Sequence, residues 1–191
     1  MNNNISKIIL ASGSPRRKEI LSQAGYHFEV MVKNIDETYP DNILLDNVAE
    51  YLAAKKAKNF ADEAQSHTII CADTIVIFDN AVLGKPLDEQ DAVKMLQKLS
   101  GNVHKVVTGV CILHQDTEVT FSDSSLVEFV KLDIDQIKYY IQKYKPMDKA
   151  GAYGIQDWIG MVGIKSIYGS FYNVMGLPIH LIDPKIKHLK A

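Results

Sequence analysis

A short run directly behind the first apolar stretch, Ser12-Gly13-Ser14-Pro15-Arg16-Arg17, combines the features of an anion site. Ser14 is a good N-cap and Pro15 suits the first helical position, so a helix is expected to start here. The first-turn amides of such a helix lack partners within it, and the helix dipole makes the spot positive. Gly13 lets a ligand approach the backbone, and Arg16 and Arg17 bring guanidinium forks that match phosphate oxygens. The whole suits a polyphosphate. The other reading of the same residues is an ordinary capped helix with two solvated arginines. A Walker loop is excluded, because it needs a longer Gly-rich turn and a Lys-Ser/Thr pair.

Asp73 stands inside an apolar run, Ile69-Ile70-Cys71-Ala72-Asp73-Thr74-Ile75-Val76-Ile77. A carboxylate buried there must be paired, metal-bound or protonated, since burying it bare costs several kcal/mol. Such sites are enriched in function; a structural salt bridge or a half-exposed strand is the competing reading. On a helical wheel with Val48 at zero, Lys56 falls at about 80°, between Leu52 and Ala49 on the apolar face. Lys55 and Lys58 fall at about 340° and about 280°, on the polar side. Lys56 must therefore meet an anion or snorkel out.

Other candidates are weaker singly. Asp36-Glu37 is either a source of metal carboxylates or a solvated pair. Gly84-Lys85-Pro86 places a lysine in a tight turn just after the hairpin that carries Asp73. His104 and Thr108 flank a β run and are candidates to face a cleft. In the loop Asp148–Gln156, Tyr153 is a candidate to stack on a base and Gln156 to read its edge. The six histidines have no metal-ligand spacing.

These residues need a scaffold, and the sequence predicts one in which strands and helices alternate. Strands are expected at Lys7–Ala11, Phe28–Val32, Thr68–Phe78, Ala81–Leu83, Val103–His114 and Glu118–Lys131. Helices are expected at Pro15–Ala24, closed by Gly25; over the long stretch Asn42–Ala64; from Asp88 to Leu99; and from Asp133 to Tyr144. Six glycines punctuate the segment from Pro146 to Pro178. Hairpin-joined strands among helices suggest a mixed sheet rather than a pure Rossmann repeat.

The 191 residues suit a single domain, 1–191, with enough chain to bury a core without disulfide or metal staples. Apolar residues are 47% and charged residues 23%, which excludes disordered, collagen-like and coiled-coil classes. A net charge of −2 argues against a nucleic acid duplex as main partner. No run reads as a membrane span or secretory signal, so a cytoplasmic protein is expected. Cys71 and Cys111 lie in strand-like runs and read as buried thiols.

Taken together, these segments resemble the Maf-like family of nucleoside triphosphate pyrophosphatases over nearly the whole chain. The resemblance rests on LASGSPRR at 10–17, Ile35-Asp36-Glu37, Leu52–Ala57, Ala72-Asp73-Thr74, Leu83–Pro86, Ser100-Gly101 with His104 and Thr108–Val110, Asp148–Gln156, and Gly169–Pro178, in that order. It implies an α/β fold of the inosine-triphosphatase-like type, a mixed bent sheet with flanking helices and two lobes around a cleft. It further implies a cytoplasmic homodimer that cleaves a nucleoside triphosphate to the monophosphate and pyrophosphate with a divalent metal cation, Mg or Mn.

Arg16, Thr74 and Gln156 look like the dTTP/UTP branch of the family. On that resemblance Asp73 and Glu37 are expected to hold metal, and Asp73 to orient or deprotonate the attacking water. Lys56, Arg17 and Lys85 are expected to offset phosphate charge, and Ser12 to cradle phosphate with the helix amides. The competing functions are the same reaction on modified or 7-methyl-guanosine nucleotides, and a non-catalytic nucleotide-binding regulator of septum formation. Two departures stand out: Asp157, where the family more often has Gly, and Pro184, expected to interrupt a C-terminal helix.

Overall fold

A computed structural model of the protein describes residues 7–189. Its elements follow in the order β1 (Lys7–Leu10), α1 (Pro15–Gln23), β2 (Phe28–Val30), α2 (Leu45–Ala57), α3 (Ala61–Ala64), β3 (His67–Phe78), β4 (Ala81–Leu83), α4 (Glu89–Leu99), β5 (Val103–His114), β6 (Thr117–Phe129), α5 (Ile134–Tyr144), α6 (Trp158–Gly163), β7 (Ile164–Tyr168), α7 (Phe171–Met175) and α8 (Ile179–His188). The strands form one mixed seven-stranded sheet in the order β2-β1-β3-β5-β6-β7, with β4 on β3. β1 runs parallel to both β2 and β3, whereas β3–β4 and β6–β7 are antiparallel. Ile8, Ile9 and Leu10 are all buried, the pattern of a strand covered on both faces.

Local chemistry explains most boundaries. Ser14 caps α1 with Pro15 in its first turn, and Gly25 takes φ +82° just beyond its end. Asp88 caps α4 by accepting from the Asp91 amide at 2.8 Å. Asp133 and Gln136 form a full capping box on α5. Asp79 and Asn80 both have positive φ, the turn geometry that joins β3 to β4 in the sense the strand twist requires.

The described residues group into two compact units, one comprising 7–73, Thr108–Asp123 and 176–189, the other Thr74–Val107 and Ser124–Met175. β3, β5 and β6 each contribute residues to both. In the first unit, Ala53, Ala57 and Phe60 pack with Ile9, Ile69, Cys71 and Cys111, burying one face of α2 on the sheet. Gly109 makes that approach possible: a Cβ there would lie 2.2 Å from the Ala49 carbonyl carbon and the Glu50 nitrogen. In the second unit His104 and Phe129 stack at 5.5 Å between centroids, and Tyr153 meets both edge-on.

Some expected boundaries move. β2 stops at Val30, and β6 covers Thr117–Phe129. The long stretch 42–64 is not one helix: a tighter 3₁₀ turn at Lys58–Phe60 separates α2 from α3 and turns Phe60 into the core. The Gly-rich segment holds a 3₁₀ turn at Ala150–Ala152 and then α6, β7 and α7, all too short for periodicity to betray. Pro184 does not interrupt α8, which runs through it to His188. Nearby Asp183 accepts from the Tyr26 hydroxyl at 2.6 Å and from Lys187 Nζ at 2.6 Å. Both cysteines are buried and unlinked, and loss of solvation lifts the Cys71 thiol to about 12.

Candidate active site

Ser12 follows the end of β1 and is buried. Its Oγ accepts from the Ser14 amide at 3.2 Å and from Arg17 Nη1 at 3.2 Å. Arg17 Nε donates to the Gly176 carbonyl at 2.8 Å. The guanidinium is thereby fixed from two sides, by the loop before α1 and by the turn before α8. Desolvation pulls its pKa below the usual arginine value; the negative charges of Asp73 and Glu37 oppose that, while neighbouring Arg16 adds to it. Arginine stays charged under any of these influences. Gly176, at φ +108°, is a contributor that sequence reasoning did not single out; the signal was its place in the Gly-Leu-Pro turn.

Asp73 sits in β3 and Lys56 near the end of α2. Lys56 Nζ lies 2.7 Å from Asp73 Oδ2 and 2.8 Å from Glu37 Oε1. The lysine and Asp73 side chains are 14% and 15% exposed, whereas Glu37 is 51% exposed. Burying Lys56 would be costly without a partner, and here it has two. The helical-wheel expectation for Lys56 is met, and Lys55 points elsewhere, to Asp36 at 3.1 Å. Ser12, Arg17, Glu37, Lys56 and Asp73 thus all belong to the first unit. Two cations and two carboxylates converge there behind a helix N-terminus.

Thr74, Lys85 and Gln156 belong to the second unit. Thr74 directly follows Asp73 on β3. Lys85 is exposed in the loop behind β4, where the Gly84 carbonyl accepts from the Gly151 amide at 3.0 Å. That contact ties the Lys85 loop to the loop of Gln156. Gly151 has φ +68°, and a Cβ there would press on Val76 at 3.0 Å. The Tyr140 hydroxyl accepts from the Gly154 amide at 3.0 Å and donates to Asp157 Oδ2 at 2.7 Å. Asp157, the departure from the family pattern, therefore closes a clamp on both sides of Gln156, whose side chain remains exposed.

Three candidates change character. Tyr153 is buried and shares a 2.7 Å hydrogen bond with His104 Nε2, so its ring is core rather than a platform for a base. His104 and Thr108 are likewise buried. Desolvation lowers the His104 pKa to about 4. Only the alternation of β5 could have signalled their inward side, and a β run buried on both faces has no such alternation.

The sheet order and its helices define a fold of the Ham1 type. The solved Staphylococcus aureus Ham1 protein matches with a TM-score of 0.53 over 95% of this chain and 98% of that one, at 15% identity, a likeness of fold alone. The model of the family described as Maf-like protein matches residues 7–189, and the chain belongs to that family. A dTTP/UTP pyrophosphatase of Phocaeicola vulgatus is 49% identical over 185 residues, 96% of each chain. One from Porphyromonas gingivalis is 49% identical over 95% of this chain and 93% of its own. One from Cytophaga hutchinsonii is 50% identical over 92% of this chain and 81% of its own.

Proposed function

We propose that this protein hydrolyses dTTP and UTP to the nucleoside monophosphate and pyrophosphate. The observation that carries the reading is Lys56 held between Asp73 and Glu37, in the unit where Arg17 is fixed beside Ser12. The substrate pair follows the activity for which relatives that share about half their residues with this chain over almost its full length are named.

The donor set fits a divalent cation of the Mg or Mn kind. Asp73 and Glu37 each direct one carboxylate oxygen at Lys56 Nζ, and the second oxygen of each is a hard donor of the kind such a cation takes. Among the described residues no group of three or more His, Cys, Asp or Glu side chains could hold a metal. A cation held by Asp73 and Glu37 would complete its shell with phosphate oxygens and water, the arrangement Mg²⁺ favours. When bound, it supplies Lewis-acid stabilisation of phosphate charge.

The chain's own groups supply the rest. Asp73 orients a water whose oxygen attacks the α-phosphorus, and accepts its proton. The bond from that phosphorus to the α–β bridging oxygen breaks, and pyrophosphate leaves with the bonding electrons. Lys56 keeps the Asp73 carboxylate oriented and, with Arg17 and Lys85, offsets negative charge on the phosphates. Ser12 and the first amides of α1 receive phosphate oxygens. Arg16, Thr74 and Gln156 are assigned to substrate binding and base choice by their match to the dTTP/UTP branch. The two units are read as one functional domain, since the family match spans both. A cytoplasmic homodimer completes the reading on the same resemblance.

The test is pyrophosphate release from dTTP, UTP, the purine triphosphates and 7-methyl-GTP, each with Mg²⁺, Mn²⁺ or chelator. Metal-dependent release from dTTP and UTP supports the proposal. Preference for 7-methyl-GTP transfers the protein to another branch, and nucleotide binding without turnover makes it a regulator.

A further inference from the structure

Glu37 reaches Lys56 from residues 31–40, a segment with neither helix nor strand. A glutamate on such a segment samples many conformations unless something holds the backbone, and ordering it costs conformational entropy. The residues on either side of it are held by one side chain. Lys55 Nζ donates to Asp36 Oδ2 at 3.1 Å, to the Thr38 carbonyl at 2.8 Å and to Thr38 Oγ1 at 3.2 Å. Asp36 and Thr38 also close on each other: the Thr38 amide donates to Asp36 Oδ1 at 3.0 Å and its hydroxyl to Oδ2 at 2.5 Å. This is a side-chain-stabilised turn with Glu37 at its centre.

We propose that Lys55 is a positioning residue for Glu37, gripping Asp36 and Thr38 so that the carboxylate between them is presented to Lys56. Two successive residues of α2 divide the work. Their side chains leave the helix about 100° apart; one meets Glu37 itself and the other its two neighbours. A lone exposed ion pair contributes little. Here one ammonium meets three acceptors on two residues, and it is 29% exposed. The sequence alone marks Lys55 as a solvated lysine, because its role depends on a loop that no periodicity places.

This inference rests on the reading of Glu37 as part of the reacting group, so the experiment separates the two. dTTP hydrolysis is measured for Lys55→Ala, Glu37→Gln and the double variant, with the exposed Lys58→Ala as a charge control. Amide hydrogen exchange of the metal-free, nucleotide-free proteins is followed over residues 34–40. Lys55→Ala is expected to lower kcat about five- to twentyfold, the scale of a displaced but intact catalytic group. It should change kcat less than about twofold when Glu37 is already Gln, because groups acting as a unit are non-additive. Exchange over 34–40 should quicken in Lys55→Ala while α2 and β3 stay protected, and Lys58→Ala should match wild type. An equal loss in both backgrounds, or unchanged exchange over 34–40, overturns the positioning role. So does wild-type turnover of Lys55→Ala alongside a damaged Glu37→Gln. Wild-type turnover of Glu37→Gln overturns instead the reading of Glu37, and the positioning role with it.

Discussion

Lys56 Nζ and Asp73 Oδ2 lie 2.7 Å apart, joining the end of α2 to the middle of β3 across 17 residues of sequence. Both side chains are largely withdrawn from water, so each depends on the other: the lysine needs an anion and the carboxylate a cation. The pair links packing to chemistry, because Ala53 and Ala57 seat α2 on the sheet and so fix where Lys56 emerges.

Asp73→Asn preserves shape and removes the charge proposed to orient and deprotonate water. Turnover of dTTP should fall at least ~10²-fold, the scale of a lost general base, with an unchanged circular dichroism spectrum. Lys56→Ala should fall by a similar factor, well beyond Lys55→Ala. Near-wild-type hydrolysis by the Asn variant would remove Asp73 from the mechanism.

Gly109 is where the backbone of α2 meets β5. Gly109→Ala puts a methyl 2.2 Å from main-chain atoms of Ala49 and Glu50, which cannot rotate away. Overpacking of this kind costs about 1–3 kcal/mol or more. At roughly 2–4 °C per kcal/mol for a chain of this size, the melting temperature should drop by several degrees. Gly84→Ala, with nothing within 4 Å of its added carbon, is the control and should melt close to wild type. Equal melting of both variants would show that α2 can lift from the sheet at little cost.

His104 makes stability sensitive to acid. Its pKa falls from 6.5 in the unfolded chain to about 4 in the fold, because burial disfavours the imidazolium. Its Nδ1 has no hydrogen-bond partner among the described residues, so protonation gains it no acceptor there. The unfolded state therefore binds more protons between the two values, and stability falls as pH drops through that window. By this linkage about 2 kcal/mol should be lost between pH 7.5 and 5 from this residue. His104→Gln keeps a polar partner for Tyr153 and does not titrate. Urea unfolding at the two pH values should show a smaller acid loss for the variant; equal losses would place the acid sensitivity elsewhere.

Gln156 is presented, exposed, between two points that Tyr140 holds. Its amide can both donate and accept, which suits the carbonyls and ring N–H of a pyrimidine. Gln156→Ala should narrow the ratio of kcat/KM for dTTP over dGTP while leaving metal dependence unchanged. An unaltered ratio assigns base choice to other residues.

Sequence alone determined the elements whose signals are local. Ser14-Pro15 starts α1, Asp88 and Asp133 start α4 and α5, and Asp79-Asn80 turns β3 into β4, because capping and turn chemistry act within four residues. It also marked Asp73 and Lys56, since a charge on an apolar face calls for a partner wherever the chain goes. Which partner was decided by tertiary structure. The parallel pairing of β1 with β3 and the bare surface of Gly109 bring α2 over the sheet, and only then do Lys56, Asp73 and Glu37 meet. The same holds for the residues whose character changed. Tyr153 and His104 lie in runs with no one-sided pattern, so burial was decided by what packed on them. Lys55 has the helical phase of a solvated lysine, and its three acceptors lie on a loop 17 to 19 residues away, beyond the reach of any periodicity.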